Sequence, residues 1–244
     1  MKLFKLYPLL LFSIIILACA TGSSRESIKE DRRQKGIPES ISQQWQREQE
    51  ERIVKVGEKL IELAPNAKEF TFHLAISKKD SGGIIDPDSV NAWTNGWQIF
   101  VTRGMMRFIK NDHELAVILG HKISHANSVS RKVVKRNIVD YIQTIAFATV
   151  GIPPIWNTPP IDPSTMKFNH GEEKKSDYEG LQWAYKAGYD ISGGPALWER
   201  FFTQIPGSVK GGFLSSHPWS TERFLHMQEI IRELTQASSS GSGE

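Results

Sequence analysis

The chain has 244 residues, 39% of them hydrophobic, with 30 Lys and Arg against 27 Asp and Glu and a single cysteine. This is the composition of a globular protein long enough to bury a core, and it excludes a disordered chain. A net charge of +3 with both signs interspersed gives no basic face, so nucleic acid is not an expected partner, and one cysteine excludes an internal disulfide or a CxxC metal knuckle.

Lys2 and Lys5 precede the apolar run Leu6 to Ala18, which stops at Cys19. A basic start followed by an apolar stretch shorter than about 20 residues predicts a cleaved export signal over residues 1–18, not a membrane span. The segment Ile16-Leu17-Ala18-Cys19 resembles a bacterial lipobox, which implies a lipidated Cys19. The other reading is a generic signal with an incidental cysteine. Losing the two lysines takes the net charge from +3 to +1. Residues 19–40 are polar, contain Gly36 and Pro38, and predict a lipid-anchored linker ahead of a domain over residues 41–236 and a disordered tail over residues 237–244.

Within the domain, Ile53, Val56, Leu60, Ile61 and Leu63 have helical spacing and predict a packing helix bounded by Pro65. Phe72, Leu74 and Ile76 alternate with Thr71, His73 and Ala75, predicting a strand with His73 at an edge or surface. Asn95-Gly96 between Asn91 to Thr94 and Trp97 to Thr102 predicts a hairpin with a type I′ turn. Its second arm puts Trp97, Ile99 and Val101 on one face.

A helix is predicted after Lys110, with Asn111 as its cap, Glu114 completing the capping pair, and Leu115, Ile118, Leu119 and Ile123 as its apolar stripe. It carries His121-Lys122-Ile123-Ser124-His125. Histidines four apart share a helix face and can converge on one metal ion; the spacing also suits a satisfied polar patch. Residues 138–150 are apolar at helical spacing and predict a core or cleft-covering helix. Beyond the Pro-rich stretch Pro153 to Pro163, residues 172–186 predict a helix stopped at Gly188. On it Glu173 and Asp177 lie one turn apart. They can supply a third ligand and a carboxylate that orients a ligating histidine, or they can belong to a solvated charged face. His170 reads as a loop histidine, or as a fourth ligand if the helix starts early.

The ordered set Asn91 to Gly104, Glu114 to His125, Asp177 to Asp190, Ser216-His217-Pro218 and Arg223 resembles the HtpX-type gluzincin zinc metallopeptidases, in particular small bacterial lipoproteins similar to BepA and LoiP. The resemblance implies an α+β fold: a mainly helical, zincin-like metallopeptidase domain with a small sheet and an edge-strand hairpin beside the HxxxH helix. It implies one zinc ion held by His121, His125 and Glu173, with Asp177 behind a ligand and with His217 and Arg223 in the same cleft. It implies a substrate lying along the strand of Trp97, Ile99 and Val101. It also implies a place in the bacterial envelope and protein quality control on unfolded or misassembled envelope proteins; Ala20 after Cys19, where inner-membrane retention would have aspartate, points to the outer membrane facing the periplasm.

One residue departs from that pattern. After the first ligand histidine the family has Glu, the general base; here it is Lys122. Near the third ligand the usual Ser-Arg and following Glu are replaced by Asn169-His170 and Lys175. Lys122 has three courses open: to lose its proton and act as a poor base, to ligate the metal, or to swing out of the cleft. Two functions follow, an unorthodox peptidase or a pseudopeptidase that binds or chaperones clients.

Overall fold

A computed structural model describes residues 39–67, 69–81, 85–150, 168–205, 213–218 and 220–240. Two compact units divide the chain, residues 1–45 and 46–244. The export signal, Cys19, nearly all of the linker and the Pro-rich stretch Pro153 to Pro163 lie outside the described residues.

Helix α1 (Glu39–Ile61) is followed by strand β1 (Thr71–Ala75), a single 3-10 turn (Lys78–Ser81), β2 (Ala92–Thr94) and β3 (Gln98–Thr102). Then come α2 (Arg103–Phe108), α3 (Asp112–Val150), α4 (His170–Lys186), α5 (Gly194–Gln204), a short α6 (Phe213–Ser216) and α7 (Thr221–Ser240). The α+β expectation is met: a mostly helical body with one three-stranded sheet. Helix α1 buries Ile53, Val56 and Leu60 as its spacing requires. The last helix continues to Ser240, four residues into the segment expected to be a tail.

The sheet order is β1-β3-β2, with β1 parallel and β2 antiparallel to β3. The strand of Ile99 and Val101 is therefore central, with both backbone edges paired, and cannot receive a substrate strand. That expectation is corrected. Local sequence marks the β2–β3 hairpin, but the second neighbour of β3 comes from far upstream. Among the described strands the free edges belong to β1 and β2. Ile99 and Val101 are fully buried, whereas Trp97, just before the strand, is 40% exposed. One side of the sheet, half-buried at His73 and Phe100 and buried at Trp93, carries a row of rings. Phe100 stacks on its cross-strand partner Trp93 at 5.0 Å and meets His73, on the edge strand, at 5.2 Å.

The hairpin turn also differs from its expected type. Type I′ needs positive φ at both central residues, yet only Gly96, at 100°, has it. The Asn95 side chain accepts hydrogen bonds from the Trp97 and Gln98 N–H groups. This closes the loop as an Asx turn, without a left-handed Asn.

Helix α3 runs unbroken over 39 residues. Residues 121–150 contain neither Gly nor Pro, so the helix runs on through the apolar segment 138–150, helical as expected. Of the described side chains in this segment, Val139 and Ile142 are 43% and 58% exposed, and Val139 lines a surface hollow with Trp97, Asn127, Ser130, Arg131 and Lys135. At the other end Asn111 accepts from Glu114 N, as expected, but the Glu114 carboxylate accepts from Lys110 N, one residue before the cap. Helix α4 begins at His170 with a complete Asn169/Glu172 capping box, and Gly188 leaves it at φ 84°.

Candidate metal centre

The site forms where α3 crosses α4. At the crossing Gly120 faces Gly180: a Cβ on Gly180 would stand 2.5 Å from His121 N and 2.7 Å from Gly120 C. Two residues without side chains let the backbones touch, and this brings the His121 turn of α3 beside the Glu173 and Asp177 turns of α4. Helix α7 and the turn after α6 add Arg223 and His217. All six residues named in the sequence for the metal and the cleft, together with Lys122, are buried.

His121, His125, Glu173 and His217 each offer one ligand atom, and these atoms lie within 4.8 Å of one another. His121 Nε2 is 3.0 Å from His125 Nε2, and His125 Nε2 is 3.2 Å from Glu173 Oε1. His217 Nδ1 is 2.8 Å from Glu173 Oε1 and 3.4 Å from His121 Nε2. A tetrahedron built on zinc–nitrogen bonds of about 2.0–2.1 Å has edges of about 3.3 Å, so the donor set fits zinc in kind and spacing. Burial is the main reason that His121 and His217 are held well below their usual range and His125 is lowered to about 4. Neutral imidazoles are the form that ligates.

Asp177 stands where the sequence put it. Its Oδ1 lies 3.0 Å from His121 Nδ1, so that N–H donates to the carboxylate and His121 Nε2 faces the other donors with a lone pair. Arg223 donates to both Asp177 oxygens at 2.8 Å and to Pro218 O, and its Nη1 is 2.8 Å from Glu173 Oε2. That last contact lacks hydrogen-bond geometry, and Glu173 Oε2 accepts no hydrogen bond. Burial pushes Asp177 up to about 7 against the pull of the guanidinium. Burial acts on Glu173 in the same direction, but electrostatic attraction to the His217 ring and the bonds from His125 and His217 outweigh it and hold Glu173 below the carboxylate range.

Lys122 does not swing out. It is 1% exposed, its Nζ lies 2.5 Å from His217 Nε2, and it stands 4.5 Å from the centre of the Phe213 ring. Burial lowers it to about 7, with Glu173 opposing the shift and Arg223 adding to it. Two other carboxylates of these helices, Glu114 and Glu172, are engaged elsewhere. Glu114 pairs with Arg200 through two bonds of 2.6 and 2.9 Å, and Glu172 takes Lys132 at 2.5 Å. His170 is exposed in the first turn of α4 and does not join the cluster. Ile99 and Val101 pack in the core, away from any substrate edge.

Sequence reading missed the aromatic wall. Trp198 meets the edge of the His121 ring at 5.3 Å, Phe213 lies 4.7 Å from the His217 ring, and Phe168 lies 3.7 Å from that of His125. Phe213 stacks on both Trp198 and Phe201, which meet each other at a tilt. Their apolar spacing signals only a core; nothing in it marks a metal site.

Residues 47–231 match the family described as Peptidase family M48. The chain belongs to that family. Its relatives include the human protein named "Metalloendopeptidase OMA1, mitochondrial", 28% identical over 196 residues, which cover 67% of this chain and 36% of that protein. The Arabidopsis thaliana protein "Mitochondrial metalloendopeptidase OMA1" is 28% identical over 143 residues, covering 57% of this chain and 29% of the relative. A Saccharomyces cerevisiae protein of the same name is 25% identical, over 56% of this chain and 41% of its own length. The chain thus spans roughly a third of the length of these relatives. Among the described residues no helix is long and apolar enough to cross a membrane.

Proposed function

We propose that this M48 member is a client-binding pseudopeptidase of the bacterial envelope, close in kind to the HtpX-type lipoproteins whose ordered motifs it resembles. It binds unfolded or misassembled envelope proteins in protein quality control, anchored by a lipidated Cys19 to the outer membrane and facing the periplasm. The location rests on residues 1–20 alone. The function rests on one observation, the lysine buried at the position of the general base, with Nζ on His217 Nε2.

His121, His125 and Glu173 would hold a zinc ion. When bound, zinc supplies Lewis acidity for a peptide carbonyl and a water. Hydrolysis also needs a group beside the metal that takes a proton from water and returns it to the leaving amine. Lys122 fills that place with N–H donors aimed at a histidine. Asp177 is committed to His121 and Arg223, and Glu173 to the donor cluster. What the chain keeps is the means to hold a peptide. Strand β2, Ala92–Thr94, is buried but pairs with no second described strand, and we propose that a client strand adds at that edge once it is uncovered.

The test compares the full chain with Lys122→Glu, measuring both binding and cleavage of an unfolded protein. Wild type binds the client and cleaves it about 10²-fold or more slowly than the variant, the range set by removal of a general base. Equal cleavage rates would overturn the proposal.

A further inference from the structure

We infer that Lys122 is a built-in cation that completes this centre from within, so that the protein keeps the site folded with no metal bound and zinc adds little to its stability. The inference rests on the reading above that hydrolysis has been given up, and it says what the substitution supplies instead.

Two facts carry it, and the first is the hydrogen-bond chain. Lys122 Nζ meets His217 Nε2 at 2.5 Å, and His217 Nδ1 meets Glu173 Oε1 at 2.8 Å. An amine that donates to Nε2 leaves the ring proton on Nδ1, where it donates to the carboxylate. On the other side, Asp177 takes the His121 Nδ1 proton, so His121 Nε2 can accept from His125 Nε2 at 3.0 Å. One assignment of protons therefore serves all three rings. Of the buried side-chain atoms in this cluster only His125 Nδ1 and Glu173 Oε2 have no hydrogen-bond partner, and Glu173 Oε2 has Arg223 2.8 Å away.

The second fact is the charge count. Lys122 and Arg223 stand with Glu173 and Asp177, two basic groups against two acidic ones, and the sum stays neutral even if a proton passes from Lys122 to Asp177, both of which burial brings to about 7. With glutamate at position 122, three carboxylates would share one arginine, and the excess of two negative charges would call for a dication. The change from glutamate to lysine shifts the centre by the charge that such an ion brings. Buried charges that lack a partner are strongly destabilising. The lysine makes the centre neutral, whereas the glutamate makes it depend on the metal.

The experiment measures melting temperature and bound zinc for the full chain, Lys122→Met and Lys122→Glu, each in EDTA and in excess zinc. Wild type is expected to melt within about 2 °C in the two conditions. Lys122→Met, which keeps the volume and loses the donor, is expected to melt about 4 °C or more below wild type in EDTA. Lys122→Glu is expected to be unfolded or strongly destabilised in EDTA and restored by zinc with one ion bound. A wild type that loses several degrees in EDTA overturns the inference without recourse to any variant. So does a Lys122→Met protein as stable as wild type in EDTA. A wild type that depends on zinc but does not cleave sinks this inference and leaves the proposed function standing; equal cleavage by wild type and Lys122→Glu sinks the function whatever the melting curves show.

Discussion

Gly120 and Gly180 meet backbone to backbone where the two long helices of the centre cross: a Cβ on Gly120 would lie 2.6 Å from Gly180 O. A methyl group at Gly180 must push α4 away from the His121 turn. Gly180→Ala is expected to lose about 1–3 kcal/mol of stability, the usual cost of overpacking. Since the ligand atoms come from both helices, zinc retention should fall as well. Denaturant unfolding and metal analysis of the same samples check this, and a stable variant with unchanged zinc uptake would show that the crossing relaxes freely.

Arg223 is 1% exposed and holds Asp177 by two bonds while lying against Glu173. Arg223→Met leaves two buried carboxylates without their cation. A loss of about 3–5 kcal/mol is expected from breaking a buried ion pair by removing one partner. Asp177→Asn/Arg223→Met, which removes the orphaned charge at Asp177, should recover part of it. A double-mutant cycle in denaturant is the measurement; simple additivity would mean that Arg223 and Asp177 do not act as a unit.

Glu114 ties the start of α3 to α5 through Arg200, and the pH dependence of that link has a definite sign. Burial raises Glu114, but the hydrogen bonds from Arg200 and Lys110 and their charges more than offset it, so the folded-state value lies below 4.5. A depressed carboxyl contributes stability that is fully present above its unfolded value and is lost as pH falls through the folded one. Glu114→Gln should therefore be less stable than wild type at neutral pH, and the gap should close as pH drops below about 4.5. Urea melts of both proteins at several pH values test this; a gap that stays constant would remove Glu114 from the acid response.

Much of the centre was legible in the sequence because its parts are local. Two histidines four apart and two carboxylates four apart each define a helix face, and the Asn111 cap and Gly188 stop mark where the helices begin and end. What could not be read is non-local. The pairing of β1 with β3, which makes Ile99 and Val101 central, joins segments that no local pattern links. The aromatic wall of Trp198 and Phe213 looks like any core stripe. Of the three courses open to Lys122, burial excludes swinging out, and burial also lowers it to about 7, in the direction of losing its proton. The side chain turns inward to a histidine 95 residues away, in a distant part of the chain that local spacing cannot reach.

Helix α3 has a mechanical consequence. Its 39 residues make a rod about 58 Å long at about 1.5 Å per residue, and the crossing at Gly120 lies near one end. The long arm from Gly120 to Val150 is then about 45 Å. A swing of about 5° about the crossing displaces the far end by about 4 Å at that arm length. Conversely, a load on Val139 or Ile142 is delivered with leverage to the turn that carries His121, Lys122 and His125.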